Sequence, residues 1–192
     1  MKWLFLTLIS MAFLGCSKSS STIHVEIETT EGTIVVEVDT LVASITVANF
    51  LRYVDGGFYE DGSFFRTVRM DNQPTDSIRI EVIQGGANIQ QREEFYEPIV
   101  LERTSETGLK HLDGVISMAR GTPDSADHSI FICIGDQPSL DFDGMRNPDG
   151  QGFAAFGRVV SGMDVVRAIQ AKVDENQTLV EPISIISARR RD

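Results

Sequence analysis

The chain has 192 residues, 42% of them hydrophobic and 23% charged, with 28 acidic against 17 basic side chains and a formal net charge of −11. That is one domain's worth of sequence, able to bury a core without disulfides or a structural metal, and too apolar for a disordered chain. The negative charge argues against nucleic acid as the main partner, and by itself it names no function.

Met1-Lys2 opens the chain, and an apolar run from Trp3 to Leu14 follows. The run falls short of the ~20 apolar residues needed to span a bilayer; with its basic start it reads as a secretory signal. Phe13-Leu14-Gly15-Cys16 resembles the lipobox of bacterial lipoproteins, which implies cleavage before Cys16 and acylation of that cysteine. Several acyl chains anchor a protein where one binds only marginally. Residues 1–15 are therefore expected to be a signal peptide, residues 16–21 the lipidated cysteine and a flexible tether, and residues 22–192 a single domain. The lipid bilayer is then a partner, and the expected location is the bacterial cell envelope on an extracytoplasmic face. Cys133, the other cysteine, lies inside Ile130-Phe131-Ile132-Cys133-Ile134 and reads as a small buried hydrophobe.

Along the domain, Ile23 to Glu28 alternates apolar and polar residues as a half-buried strand does. Glu31-Gly32 makes a turn, and Thr33 to Val38 repeats the pattern, giving a hairpin. Ser44 is placed to cap a helix whose apolar face is Val47, Phe50, Leu51 and Val54, ended by Asp55-Gly56-Gly57. Strand-like runs follow at Phe64 to Val68, Ile78 to Ile83, Val115 to Ala119, Ile130 to Ile134 and Phe153 to Val160, separated by Gly, Pro, Asp and Asn clusters. The pattern predicts a second helix from Met163 to Val173 and a last strand from Ile183 to Ala188, after Pro182. Many short strands, helices near both ends and no βαβ rhythm point to a closed antiparallel barrel.

Several runs resemble the cyclophilin family of peptidyl-prolyl isomerases. They are Val47-Ala48-Asn49-Phe50-Leu51, Phe58-Tyr59 through Phe65-Arg66-Thr67-Val68, Val82-Ile83-Gln84-Gly85-Gly86 and Gly114-Val115-Ile116-Ser117-Met118-Ala119. Phe131-Ile132-Cys133, Leu140-Asp141, Phe156-Gly157-Arg158-Val159 and Gly162-Met163-Asp164-Val165-Val166 complete the set. They occur in the family's order from about Thr22 to Arg189. The resemblance implies an all-β domain: a closed eight-stranded antiparallel barrel capped by two α-helices. It also implies catalysis of Xaa-Pro rotation in proline-containing polypeptides, with no cofactor and no metal.

Such catalysis needs no nucleophile. Resonance imposes ~18–20 kcal/mol on C–N rotation, and twisting the bond localises a lone pair on the prolyl nitrogen. A donor placed there binds the transition state better than either ground state. Arg66 matches the family's catalytic arginine, and Gln84 the glutamine that positions the substrate backbone and orients the arginine. Phe131, Leu140 and Val82 match walls of the proline pocket, and Ala119 a backbone contact to the residue before proline. Phe153 stands where the family has a pocket histidine, Glu81 where it has a phenylalanine, Arg120 for asparagine, Ser129 for glutamine and Ser139 for tryptophan. Glu81, Arg120, Ser129 and Phe153 motivate a rival reading: a cyclophilin-like module that binds proline-containing segments or a partner with little or no catalysis.

Other chemistries fit poorly. His24, His111 and His128 are widely spaced, and none has a neighbouring ligand at metal spacing; His111 reads as a loop or surface residue. Asp124, Asp127 and His128 read as a polar loop. Asp141 to Gly150 lacks the closing glutamate of a calcium loop. Arg189-Arg190-Arg191 reads as a solvated tail. The sequence is silent on oligomeric state, and a monomer is the expectation.

Overall fold

The computed structural model describes residues 21–191. The expected signal peptide, the expected lipidation site at Cys16 and the expected tether up to residue 20 lie outside the described residues. The chain runs β1 (Thr22–Thr29), β2 (Gly32–Asp39), α1 (Ser44–Asp55), β3 (Ser63–Val68) and β4 (Val82–Gly86), then a single-turn helix α2 (Thr104–Thr107). β5 (Val115–Met118), β6 (Ile130–Cys133), β7 (Ala154–Ser161), α3 (Met163–Gln170), the two-residue β8 (Asp174–Glu175) and β9 (Thr178–Arg191) complete it. Short 3-10 turns occupy Ile89–Glu94 and Pro138–Leu140.

The strands pair antiparallel in the order β1-β2-β7-β5-β6-β4-β3-β9, and β9 pairs back onto β1, closing an eight-stranded barrel with β8 as an appended hairpin strand. Closure removes the exposed edges that an open sheet presents. Ile27, Ile34, Val36, Phe64, Ile83, Ile116, Ile130, Ile132 and Phe156 fill the interior, and α1 and α3 bury Phe50, Val54, Val166 and Ile169 against the same core.

The candidate site lies outside that core. Val68, Ile80, Val82, Phe131, Cys133 and Leu140 form a separate apolar cluster, with Ala119 and Phe153 packed on it. Strand alternation explains the division: on β4 Ile83 faces the interior and Val82 the second cluster, and on β6 Ile130 and Ile132 face in while Phe131 and Cys133 face out. β6 is buried on both faces, which is why its sequence is apolar without alternation.

Several expectations are corrected. Ser44 is not the cap of α1. The helix N-terminus is held by Glu102, whose carboxylate accepts from the Ile45 N–H at 3.2 Å and from the Thr46 N–H at 2.7 Å and hydroxyl at 2.6 Å. The strand expected at Ile78 to Ile83 begins only at Val82. Before it, the buried Gln73 amide occupies the Ile80 backbone, donating to its carbonyl at 2.7 Å and accepting from its N–H at 3.2 Å. Both groups that a neighbouring strand would pair are thus taken by one side chain.

The last strand starts earlier than expected, at Thr178, and passes through Pro182. Its ladder to β3 pairs Ile183 and then Thr178, so the proline sits in an irregular stretch where no N–H is required. Arg189, Arg190 and Arg191 belong to that strand and pair with β1. Arg189 meets Glu26 at 3.0 Å and Arg190 meets Asp55, so they do not form a free tail.

Candidate active site

A cavity of about 130 Å³ opens on the outer face of β3, β4 and β6 and is lined by Arg66, Ile80, Val82, Gln84, Ala119, Arg120, Phe131, Leu140, Arg146 and Phe153. Every residue assigned to the proline site from the sequence is among them. The volume suits one small ring, well below the space a drug-sized ligand occupies.

Arg66 reaches this cavity because of a backbone irregularity. On β3, Phe64 pairs with Gly85 and Arg66 with Gln84, so Phe65 is an extra residue, and the ladder to β9 breaks at the same place. Such a bulge bends the strand and re-aims the following side chain. Gly85 permits it: a Cβ there would stand 2.7 Å from the Phe64 ring and 2.8 Å from the Ser63 carbonyl.

The guanidinium is held by amide oxygens. Nη1 donates to Gln84 Oε1 at 2.9 Å, Nε donates to Gln177 Oε1 at 3.1 Å, and Nη2 donates to that same oxygen. Of the five N–H groups on the fork, one on each terminal nitrogen is left for a ligand. Burial foremost, then the neighbouring positive charge of Arg146, pulls the Arg66 pKa below its ordinary value; an arginine nevertheless stays charged. Among the described residues no carboxylate lies within ion-pair range of it, whereas Arg120 is paired with Asp149 at 2.7 Å and Arg146 with Asp76 at 3.0 Å.

Gln84 is itself oriented. Its Nε2 donates to the Ser129 hydroxyl oxygen at 3.1 Å, and that hydroxyl donates to the Gly85 carbonyl at 3.1 Å, which turns Oε1 toward the arginine. Ser129 therefore acts on Gln84 from a position where its shorter side chain gave no such signal in the sequence. Glu81 is turned away from the cavity toward Gln170, at 3.4 Å, and Ile80 supplies the wall. Arg120 lies beneath the site: its fork holds Asp149 and the Gly152 carbonyl, and it stacks 5.1 Å from the Phe153 ring centre. The Arg120 hydrogen bonds, and then the Gln151 N–H, hold the Asp149 carboxyl at a pKa of about 2. Phe153 meets Phe131 edge-on at 5.4 Å, completing two aromatic walls.

His111 is not at the surface. It is fully buried against the back of Phe131, the rings near-parallel at 14° and 5.8 Å apart. Its Nδ1 lies 2.8 Å from Asp141 Oδ1 and its Nε2 3.0 Å from Ser117 Oγ. Burial pushes the Asp141 carboxyl up, but hydrogen bonds from the His111 ring and backbone, with Lys110 nearby, outweigh it and leave the pKa below the ordinary value. The ionised carboxylate accepts from Nδ1–H, and Nε2 shares a hydrogen bond with the serine hydroxyl. The order is that of a hydrolytic triad, yet Ser117 is wholly buried and cannot meet a substrate. The chain of bonds braces the pocket wall. Cys133, behind the same wall, is buried and its thiol is pushed far up by desolvation, so it is no nucleophile.

Residues 24–190 match the family model described as cyclophilin type peptidyl-prolyl cis-trans isomerase. The chain belongs to this family. A peptidyl-prolyl cis-trans isomerase of Streptomyces antibioticus is 33% identical over 171 residues, covering 86% of this chain and 96% of that protein. Peptidyl-prolyl cis-trans isomerase A of Dickeya dadantii is 34% identical over 172 residues, with 88% and 83% covered. In structure, a cyclophilin-type isomerase of Cryptosporidium parvum, crystallised in the presence of the dipeptide Ala-Pro, superposes with a TM-score of 0.70 at 19% identity, covering 88% of this chain and 99% of that one. That likeness establishes the cyclophilin barrel.

Proposed function

We propose that this cavity accelerates cis-trans rotation of Xaa-Pro bonds in exported polypeptides, with Arg66 as the catalytic group. The observation that carries the reading is a charged guanidinium, without a carboxylate partner among the described residues, lining a small cavity whose apolar walls are Ile80, Val82, Phe131, Leu140 and Phe153. The prolyl ring enters between Val82, Phe131, Leu140 and Phe153. The free N–H groups of Arg66 hold the preceding carbonyl and meet the nitrogen lone pair as the bond twists and its resonance is lost. Gln84 fixes the fork, and the backbone at Ala119 receives the residue before proline.

One charge-assisted hydrogen bond made mainly in the transition state supplies ~1.5–3 kcal/mol, most of what a ~10²–10³-fold acceleration requires. NMR exchange on an Ala-Pro peptide is expected to show catalysis that Arg66→Ala nearly abolishes, with the circular dichroism unchanged. Equal rates for the two proteins refute the assignment.

The lipobox-like Phe13-Leu14-Gly15-Cys16 supports anchoring through Cys16 on an extracytoplasmic membrane face. Mass spectrometry of the mature amino terminus tests it: acylated Cys16 as the first residue is the expected result.

A further inference from the structure

The least expected contact on Arg66 comes from the tip of the β8–β9 hairpin. Asn176 and Gln177 are the two turn residues, and both have left-handed backbone, with φ of 50° and 72°. A two-residue turn with positive φ at both positions favours Asn-Gly; here glutamine occupies the place where glycine fits without strain. A left-handed residue with a long side chain persists only where its surroundings over-determine it.

They do so here. The Gln177 N–H donates to Asp174 Oδ2 at 2.9 Å and its carbonyl accepts from the Thr67 N–H at 2.9 Å, one residue beyond Arg66. Asp174 is in turn held by Asn72 Nδ2 at 3.1 Å and by Arg69. The turn is thus bolted to the end of β3, and its side chain is delivered to the guanidinium.

We propose that Gln177 is a second positioning residue for Arg66, fixing the inner edge of the fork so that its outer edge faces the substrate; this rests on Arg66 being the catalytic group. Gln177 Oε1 accepts from both Nε and Nη2, while Gln84 Oε1 takes Nη1. Rotation of the fork about the Cδ–Nε bond breaks at least two of these bonds. The amide cannot turn round without losing them, because its Nε2 donates to the Asn72 carbonyl at 3.3 Å and an arginine offers only donors. Both clamps are neutral amides. They orient the guanidinium without the charge neutralisation that a carboxylate imposes, so the charge remains available to the twisting bond.

The strain in the turn makes the test decisive. Gln177→Gly removes the clamp and relieves the left-handed backbone, so catalysis and stability move in opposite directions. The expected result is a kcat about tenfold lower, a KM within about twofold of wild type, and an unchanged or higher thermal midpoint. Gln177→Met, which keeps the side-chain length without the acceptor, is expected to lose kcat to a similar extent with the turn backbone unaltered. A Gln177→Gly protein with wild-type kcat overturns the proposal. So does a parallel fall in kcat and thermal midpoint in both variants, which marks a purely structural role. Arg66→Ala is measured alongside. If it too retains wild-type kcat, the reading of Arg66 itself has failed; if it is inactive while Gln177→Gly is active, only the clamp has failed.

Discussion

The charge of Arg66 is left uncompensated by its two side-chain partners because both are neutral, and the group keeps its aim because they grip three corners of one planar fork. Lysine can supply the charge but not the planar fork. Arg66→Lys is therefore expected to lower kcat/KM by about 10- to 100-fold in the peptide exchange assay, short of the near-complete loss in Arg66→Ala. Equal activity of Arg66→Lys and wild type argues for a simple point charge at this position. His111 carries a different prediction. Removing its ring strips hydrogen bonds from Asp141 and Ser117, both buried. His111→Ala is expected to destabilise by about 3 kcal/mol, a fall of roughly 6–12 °C in the calorimetric midpoint for a domain of this size. A midpoint within about 2 °C of wild type shows that water replaces the ring at little cost. The sequence could not reveal this residue's place. Asp141 lies thirty positions away from it, and a histidine between Lys110 and Leu112 has the ordinary appearance of a loop residue.

Among the elements, those whose identity rests on local pattern were readable, and those completed by a distant side chain were not. The period-2 strands β1 and β2 and the apolar stripe of α1 stand where hydrophobic spacing puts them. The cap of α1 does not, because Glu102 reaches it across more than fifty residues of chain. Glu102→Ala is expected to cost about 2 kcal/mol and to lower the melting midpoint by about 4–8 °C, while Glu102→Gln, which keeps an acceptor, costs less. Equal midpoints for the two variants reject the carboxylate's role as a remote cap.

The loop before β6 carries a pH dependence. His128 Nδ1 accepts from the Ala87 N–H at 3.1 Å, which requires an unprotonated nitrogen. Burial foremost holds its pKa below the ordinary value despite the opposing pull of Asp127. The unfolded chain then binds more protons than the folded one just below pH 6.5, so stability is complete above the unfolded value and declines as pH falls through it toward the folded one. Melting midpoints at pH 7.5 and 5.5 should differ by several degrees more in wild type than in His128→Asn. An equal difference in both proteins assigns the dependence elsewhere.

At the scale of the whole molecule, eight family-like runs in order are consistent with one closed barrel because β1 and β9, the two ends of the domain, must meet to complete it. The runs contain most members of the outward second cluster; what they do not encode is the geometry that aims the side chains of the site. It depends on the Phe65 bulge, the Gln73 amide and the Gln177 turn, each a departure from regular backbone set by tertiary contacts. The N-terminal segment adds a prediction about the intact chain. Trp3 is the only tryptophan, and the three tyrosines, Tyr53 on α1, Tyr59 in the turn after it and Tyr96 in a loop, all lie within the described domain. In the proposed maturation, cleavage before Cys16 would remove the tryptophan and acylation would follow at the same cysteine, so loss of one optical signal and gain of membrane affinity are predicted to be linked. Protein extracted from membranes is expected to emit as tyrosine alone and to partition into detergent. Cys16→Ala is expected to abolish the acylation, leaving tryptophan emission in whatever precursor accumulates. Tryptophan emission from the detergent-phase wild-type protein contradicts cleavage at this position, whatever the isomerase assay shows.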